Sequence, residues 1–139
     1  MSDLITISDL VVDFDTKRGI LHAVRGVSLN IAAGESVGIV GESGSGKTVF
    51  SRATMGLLRG RKVHRTGQII FEGTDLRTLN NEQVREYWGT KIAMVFQDPM
   101  TALNPVRRIG SQMTESLVKR LGMSKEDAKK RAIELLSQV

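Results

Sequence analysis

The chain has 139 residues, 40% hydrophobic and 25% charged with only 2 Pro, so it has room for one ordinary core and lies outside the disordered class. It has no Cys, which excludes a disulfide framework or thiolate metal site and fits a reducing compartment. Its longest unbroken apolar run, Ile92 to Phe96, is far short of the roughly 20 residues that cross a bilayer. A net charge of +5 admits an anionic partner, but the densest basic cluster, Arg59, Arg61, Lys62 and Arg65, has no interleaved aromatics and reads as a solvated connection.

Apolar alternation from Leu4 to Phe14 and from Val24 to Ile31, joined through Lys17, Arg18 and Gly19, predicts two strands and a turn. The start of the chain, with Asp3 and Asp9, is not that of a signal peptide. A turn at Ala33, Gly34 and Glu35 leads into Ser36 to Val40, which reads as a short buried strand entering a glycine-rich loop. Lys47 to Leu58 turns helical, with Phe50, Met55 and Leu58 among small residues and Gly60 just past the end. Gln68 to Phe71 predicts a further strand, Asn80 to Tyr87 a short helix, and Lys91 to Phe96 a second buried strand. Beyond the break at Asp98 and Pro99, Ile109, Met113 and Leu117 recur at every fourth position. Ala128, Ala132, Leu135, Leu136 and Val139 mark a second helical face, with Ser124 and Asp127 placed to cap it.

The chemistry concentrates in Gly41, Glu42, Ser43, Gly44, Ser45, Gly46, Lys47 and Thr48, which fit the phosphate-loop pattern of Gly, four residues, then Gly-Lys-Ser/Thr. The glycines let consecutive backbone N–H groups turn toward phosphate oxygens at the start of a helix whose dipole favours negative charge. Lys47 reaches the β and γ phosphates of a bound nucleotide, and Thr48 offers a hydroxyl to Mg²⁺. Such a loop is shared by kinases, GTPases, helicases and transporters, so it does not select a function by itself.

The stretch Ile92-Ala93-Met94-Val95-Phe96-Gln97-Asp98-Pro99-Met100-Thr101-Ala102-Leu103-Asn104-Pro105 resembles the Q-loop of ATP-binding-cassette (ABC) ATPases, with Gln97 lying 50 positions after Lys47. The resemblance continues through Ala23-Val24-Arg25-Gly26-Val27-Ser28, Gly34-Glu35, Gly38 to Ser43 and Met55-Gly56-Leu57-Leu58. It points to the dipeptide and oligopeptide importers, a branch marked by Phe96 to Thr101 with Leu103-Asn104-Pro105; nickel and other small-solute importers share much of it.

The resemblance implies an α/β fold: a P-loop NTPase of the RecA-like ABC ATPase core, with antiparallel strands at the N-terminus and the start of a helical subdomain. Residues 1–105 then form the N-terminal part of the nucleotide-binding domain, from phosphate loop to Q-loop, and 106–139 the start of the helical subdomain. It implies further that Gln97 meets Mg²⁺ and the attacking water, and that Phe14 lies against the adenine ring. As partners it implies two membrane-spanning permease subunits and a second ATPase subunit, a solute-binding protein indirectly, and no nucleic acid. The place would be the cytoplasmic face of the bacterial inner membrane, as a peripheral protein. The family's Leu-Ser-Gly-Gly-Gln signature, catalytic Glu and switch His do not occur in this sequence, and His22 and His64 precede the segment where that histidine belongs. A truncated nucleotide-binding fragment without turnover is therefore the alternative expectation. A nucleic-acid-linked ABC protein is disfavoured by the pattern from Asp98 to Pro105.

Overall fold

The computed structural model describes residues 3–97 and 103–139, and packing groups the chain into two units, Met1–Val84 and Arg85–Val139. The first unit is built on a long hairpin. Strand β1 (Asp3–Thr16) pairs antiparallel with β2 (Gly19–Ala32) across a turn at Lys17 and Arg18. Thr16 holds that turn, its Oγ1 donating to the Gly19 carbonyl at 2.7 Å and accepting from the Arg18 N–H at 3.2 Å. On its other edge β1 pairs with β3 (Val63–Phe71), which turns at Glu72 and Gly73 into the short β4 (Thr74–Asp75). Both turn residues have positive φ, 47° and 80°, as a two-residue hairpin of this twist requires. The sheet order is β2-β1-β3-β4.

The hydrophobic pattern of β1 changes phase at Asp9, whose φ is 46°. One extra residue there lets Ile7 and then Leu10 and Val12 face the same core, and all three are buried. The bulge closes tightly: the Asp9 N–H donates to Ser28 Oγ at 2.9 Å, and a Cβ on Gly67 would stand 2.4 Å from the carbonyl oxygens of Ser8 and Asp9. Helix α1 (Lys47–Thr54) contributes Phe50 and Ala53 to a core shared with Val24, Ile69, Phe71 and Leu76. Burial of each larger side chain contributes about 1.5–3 kcal/mol. Helix α2 (Asn81–Tyr87) begins at a capping box in which Asn80 Oδ1 accepts from the N–H groups of Glu82 and Gln83, while Gln83 Oε1 accepts from the Asn80 N–H.

In the second unit, α3 (Ile109–Lys119) and α4 (Lys125–Ser137) follow the predicted periodicity. The expected cap of α4 is present: Ser124 Oγ accepts from the Asp127 N–H at 3.1 Å and donates to its carboxylate at 2.7 Å. Gln112 ties the preceding loop to α3, its Nε2 donating to the carbonyls of Asn104 and Arg107 and its Oε1 accepting from the Asn104 N–H.

Three sequence expectations need correction. Ser36 to Val40 forms no strand, and Val40 is 93% exposed. Lys91 to Phe96 forms only an isolated bridge between Ile92 and Trp88. The cause is the same in both: a parallel strand needs ladder partners on its edges, and none of the described residues supplies them. Third, the basic cluster is not wholly a solvated connection, since Arg65 lies within β3 and is half-buried.

Candidate functional site

The residues from Gly41 to Gly46 have no regular structure but wrap the start of α1. Ser45 N–H donates to the Glu42 carbonyl at 3.2 Å, closing a turn, and Gly44 and Gly46 take φ of 82° and 92°, conformations that favour glycine. Gly46 is the N-cap of α1, so no side chain caps this terminus, and no acidic residue stands in the first turn. The positive end of the helix dipole and its first amides are therefore open to an anion. Phe50 and Ala53, buried beneath, fix the helix in the core.

The loop is also fixed from the sheet side. In β2, Val24 faces Val12 and His22 faces Asp13, so Ala23 is a bulged residue without a β1 partner. Its carbonyl approaches the loop so closely that a Cβ on Gly46 would stand 2.3 Å away. Only a residue without a side chain fits between this bulge and the start of α1.

Lys47 lies back over the loop. Its Nζ donates to the carbonyls of Gly41 at 2.8 Å and Glu42 at 2.7 Å, with Ser45 Oγ at 3.4 Å. The loop thus holds the ammonium above the uncapped helix terminus, where phosphate oxygens can replace the carbonyls as acceptors. Thr48 follows in the first turn and is exposed, so its hydroxyl can reach a hard cation. Among the described residues no group of three or more His, Cys, Asp or Glu side chains could hold a metal ion. A divalent ion here would take its ligands chiefly from phosphate oxygens, water and the Thr48 hydroxyl, the usual pattern for Mg²⁺. An uncapped amide cradle, a cation above it and a neighbouring hydroxyl together fit a nucleotide polyphosphate with its metal.

Phe14 sits at the far end of β1, opposite Leu21 of β2 and Val63 of β3, and is half-buried. By strand alternation it shares the face of the buried Leu10 and Val12. Leu21 is only two residues from Ala23, so the structure brings Phe14 to the same end of the sheet as the phosphate loop. Gln97 belongs to the second unit, in an exposed bend after the irregular stretch 93–96. Asp98 to Ala102, which carry part of the Q-loop pattern, lie outside the described residues. Sequence reasoning missed Ala23, because a bulge is set by strand register and leaves no mark in residue type.

The chain belongs to the ABC transporter family, whose model matches residues 24–139. Its fold is that of ABC ATPase cassettes. A dimeric ATP-binding cassette in a post-hydrolysis state bound to ADP and Pi superimposes with a TM-score of 0.79 at 24% identity, over 96% of this chain and 56% of that one. Among curated relatives, the oligopeptide transport ATP-binding protein OppD of Bacillus subtilis is 47% identical over 98% of this chain and 38% of its own length. The dipeptide transport ATP-binding protein DppD of the same organism is 44% identical over 100% of this chain and 42% of its own. The chain thus spans about two fifths of the length of these relatives.

Proposed function

We propose that this chain supplies the ATP-binding part of an ABC importer motor subunit, which couples ATP hydrolysis to uptake of peptides or similar small solutes. The observation that carries the reading is the uncapped start of α1 beneath the Lys47 ammonium, within a chain 44–47% identical to peptide transport ATP-binding proteins. In this reading Gly41, Glu42, Ser43, Gly44, Ser45 and Gly46 present backbone amides to the phosphates. Lys47 exchanges its loop carbonyls for β and γ phosphate oxygens, and Thr48 contributes its hydroxyl to Mg²⁺. When bound, Mg²⁺ would supply positive charge that offsets the phosphates.

Phe14 offers its ring as the stacking surface for adenine, and Gln97 would supply a polar group to the ion and the attacking water. Residues 1–105 serve as the nucleotide-binding part and 106–139 as the start of the helical subdomain. The subunit works at the cytoplasmic face of the bacterial inner membrane, beneath two permease subunits and paired with a second ATPase subunit; a solute-binding protein delivers cargo. No helix among the described residues is long and apolar enough to cross a membrane.

Calorimetry with MgATP tests the site. Lys47→Ala removes the charge that meets the β and γ phosphates and should weaken binding at least about tenfold, the scale of one charge-assisted contact. Equal affinity in both proteins overturns the assignment.

A further inference from the structure

Arg65 occupies a core-facing position of β3. Its partner on β1 is the fully buried Val12, and its strand neighbours His64 and Thr66 point the other way and are exposed. A guanidinium on this face loses hydration, and burial pushes its pKa down. The guanidinium groups of Arg59 and Arg77 push it in the same direction. The charges of Arg59, in the turn after α1, and of Arg77, in the loop after β4, are thus felt at Arg65 in β3.

Nothing among the described residues neutralises them. No ion pair there joins Arg59, Arg65 or Arg77 to a carboxylate. Two nitrogens, Arg59 Nη2 and Arg65 Nη1, are buried with no hydrogen-bond partner. Buried charged donors without acceptors are costly, and like charges gathered around them add to the cost.

Nor is Arg59 a loose side chain. Its Nε donates to the Gly56 carbonyl at 3.0 Å, and its Nη1 donates to the Leu79 carbonyl at 3.2 Å and to Asn81 Oδ1 at 2.9 Å. These bonds fix the guanidinium plane and leave Nη2 over. Arg59, Arg65 and Arg77 are each half-buried, so the cluster borders solvent.

We propose that Arg59, Arg65 and Arg77 form an oxyanion-binding site at the opposite end of α1 from the phosphate loop, accepting a phosphate or carboxylate group. Guanidinium forks match both groups, each of which presents two or more acceptor oxygens to paired N–H donors. The oxyanion takes up the two orphaned donors and cancels the repulsion among the three cations. The site stands independently of the nucleotide reading.

The test uses the full chain carrying Lys47→Ala, which removes the phosphate loop's lysine from the response. Sodium phosphate, sodium acetate and sodium chloride are titrated at matched ionic strength, and amide shifts at Arg59, Arg65 and Arg77 are followed by NMR. Saturable shifts with phosphate or acetate but not chloride are expected, and the stronger of the two identifies the preferred oxyanion. Adding Arg65→Leu, which suits a core-facing position, should weaken this response about tenfold or more. Where that variant fails to fold, Arg77→Gln provides the same comparison at a half-exposed position. Equal responses to all three salts, or an unchanged response in the folded variants, overturn the proposal.

Discussion

Gly46, the N-cap of α1, and Ala23, a bulged residue of β2, are in backbone contact: a Cβ at Gly46 would lie 2.3 Å from the Ala23 carbonyl oxygen. The N-terminal sheet therefore sets the position of the phosphate loop directly. Gly46→Ala should cost about 1–2 kcal/mol for its left-handed backbone alone, and more for displacing the bulge. Gly44 shares the left-handed conformation, with φ of 82°, but has nothing within 4 Å of a built Cβ. Gly44→Ala should carry only the backbone cost. Denaturant unfolding of both variants, paired with MgATP calorimetry, checks this. Equal losses of stability and affinity would show that the Ala23 contact is unimportant.

Gln97, if it acts on water and metal, should matter more for turnover than for holding nucleotide. In the transport-competent protein, Gln97→Ala is expected to leave the MgATP dissociation constant within about threefold, under 1 kcal/mol, while lowering ATPase and uptake rates at least tenfold. Wild-type turnover in the variant would remove Gln97 from the mechanism.

His64 offers a pH-dependent contact on the exposed face of the sheet. Its Nε2 lies 2.8 Å from Asp15 Oδ2, and Asp13 stands opposite it in the β1–β3 register. The hydrogen bond to Asp15, then the Asp15 charge, hold the His64 pKa above its usual 6.5, with a smaller contribution from Asp13. Because the folded value is raised, the stabilisation is fully present below the unfolded pKa of about 6.5 and is lost as pH rises through the higher folded value. Asp15→Asn should lower the His64 pKa measured by NMR titration and flatten the stability profile above pH 6.5. An unmoved pKa would mean the pair does not form in solution.

The two segments read as buried strands leave apolar side chains in water. Val40 is 93% exposed, Val95 97% and Phe96 51%. The 139-residue chain by itself should therefore associate with increasing concentration. Amides of 36–40 and 93–96 should exchange far faster than those of β1 and β3. Sedimentation and hydrogen exchange check both points. A strictly monomeric sample with protected amides in both segments would contradict this.

What sequence alone determined is chemistry carried by neighbouring residues. The spacing of Gly41, Gly46, Lys47 and Thr48 defines one loop, and Ser124 with Asp127 defines one cap, because each acts within a single turn of chain. The periodicity of Ile109, Met113 and Leu117 likewise placed α3. Tertiary structure decided what depends on a distant partner. The alternation from Leu4 to Phe14 named a strand, but its phase change at Asp9 and the bulge at Ala23 follow from register against β3 and β2. Arg65 looked like part of a basic loop until its pairing with Val12 turned it toward the core beside Arg59 and Arg77. Ser36 to Val40 has the residues of a buried strand, yet side-chain preference cannot supply hydrogen bonds. A strand exists only where another backbone lies alongside to complete its ladder.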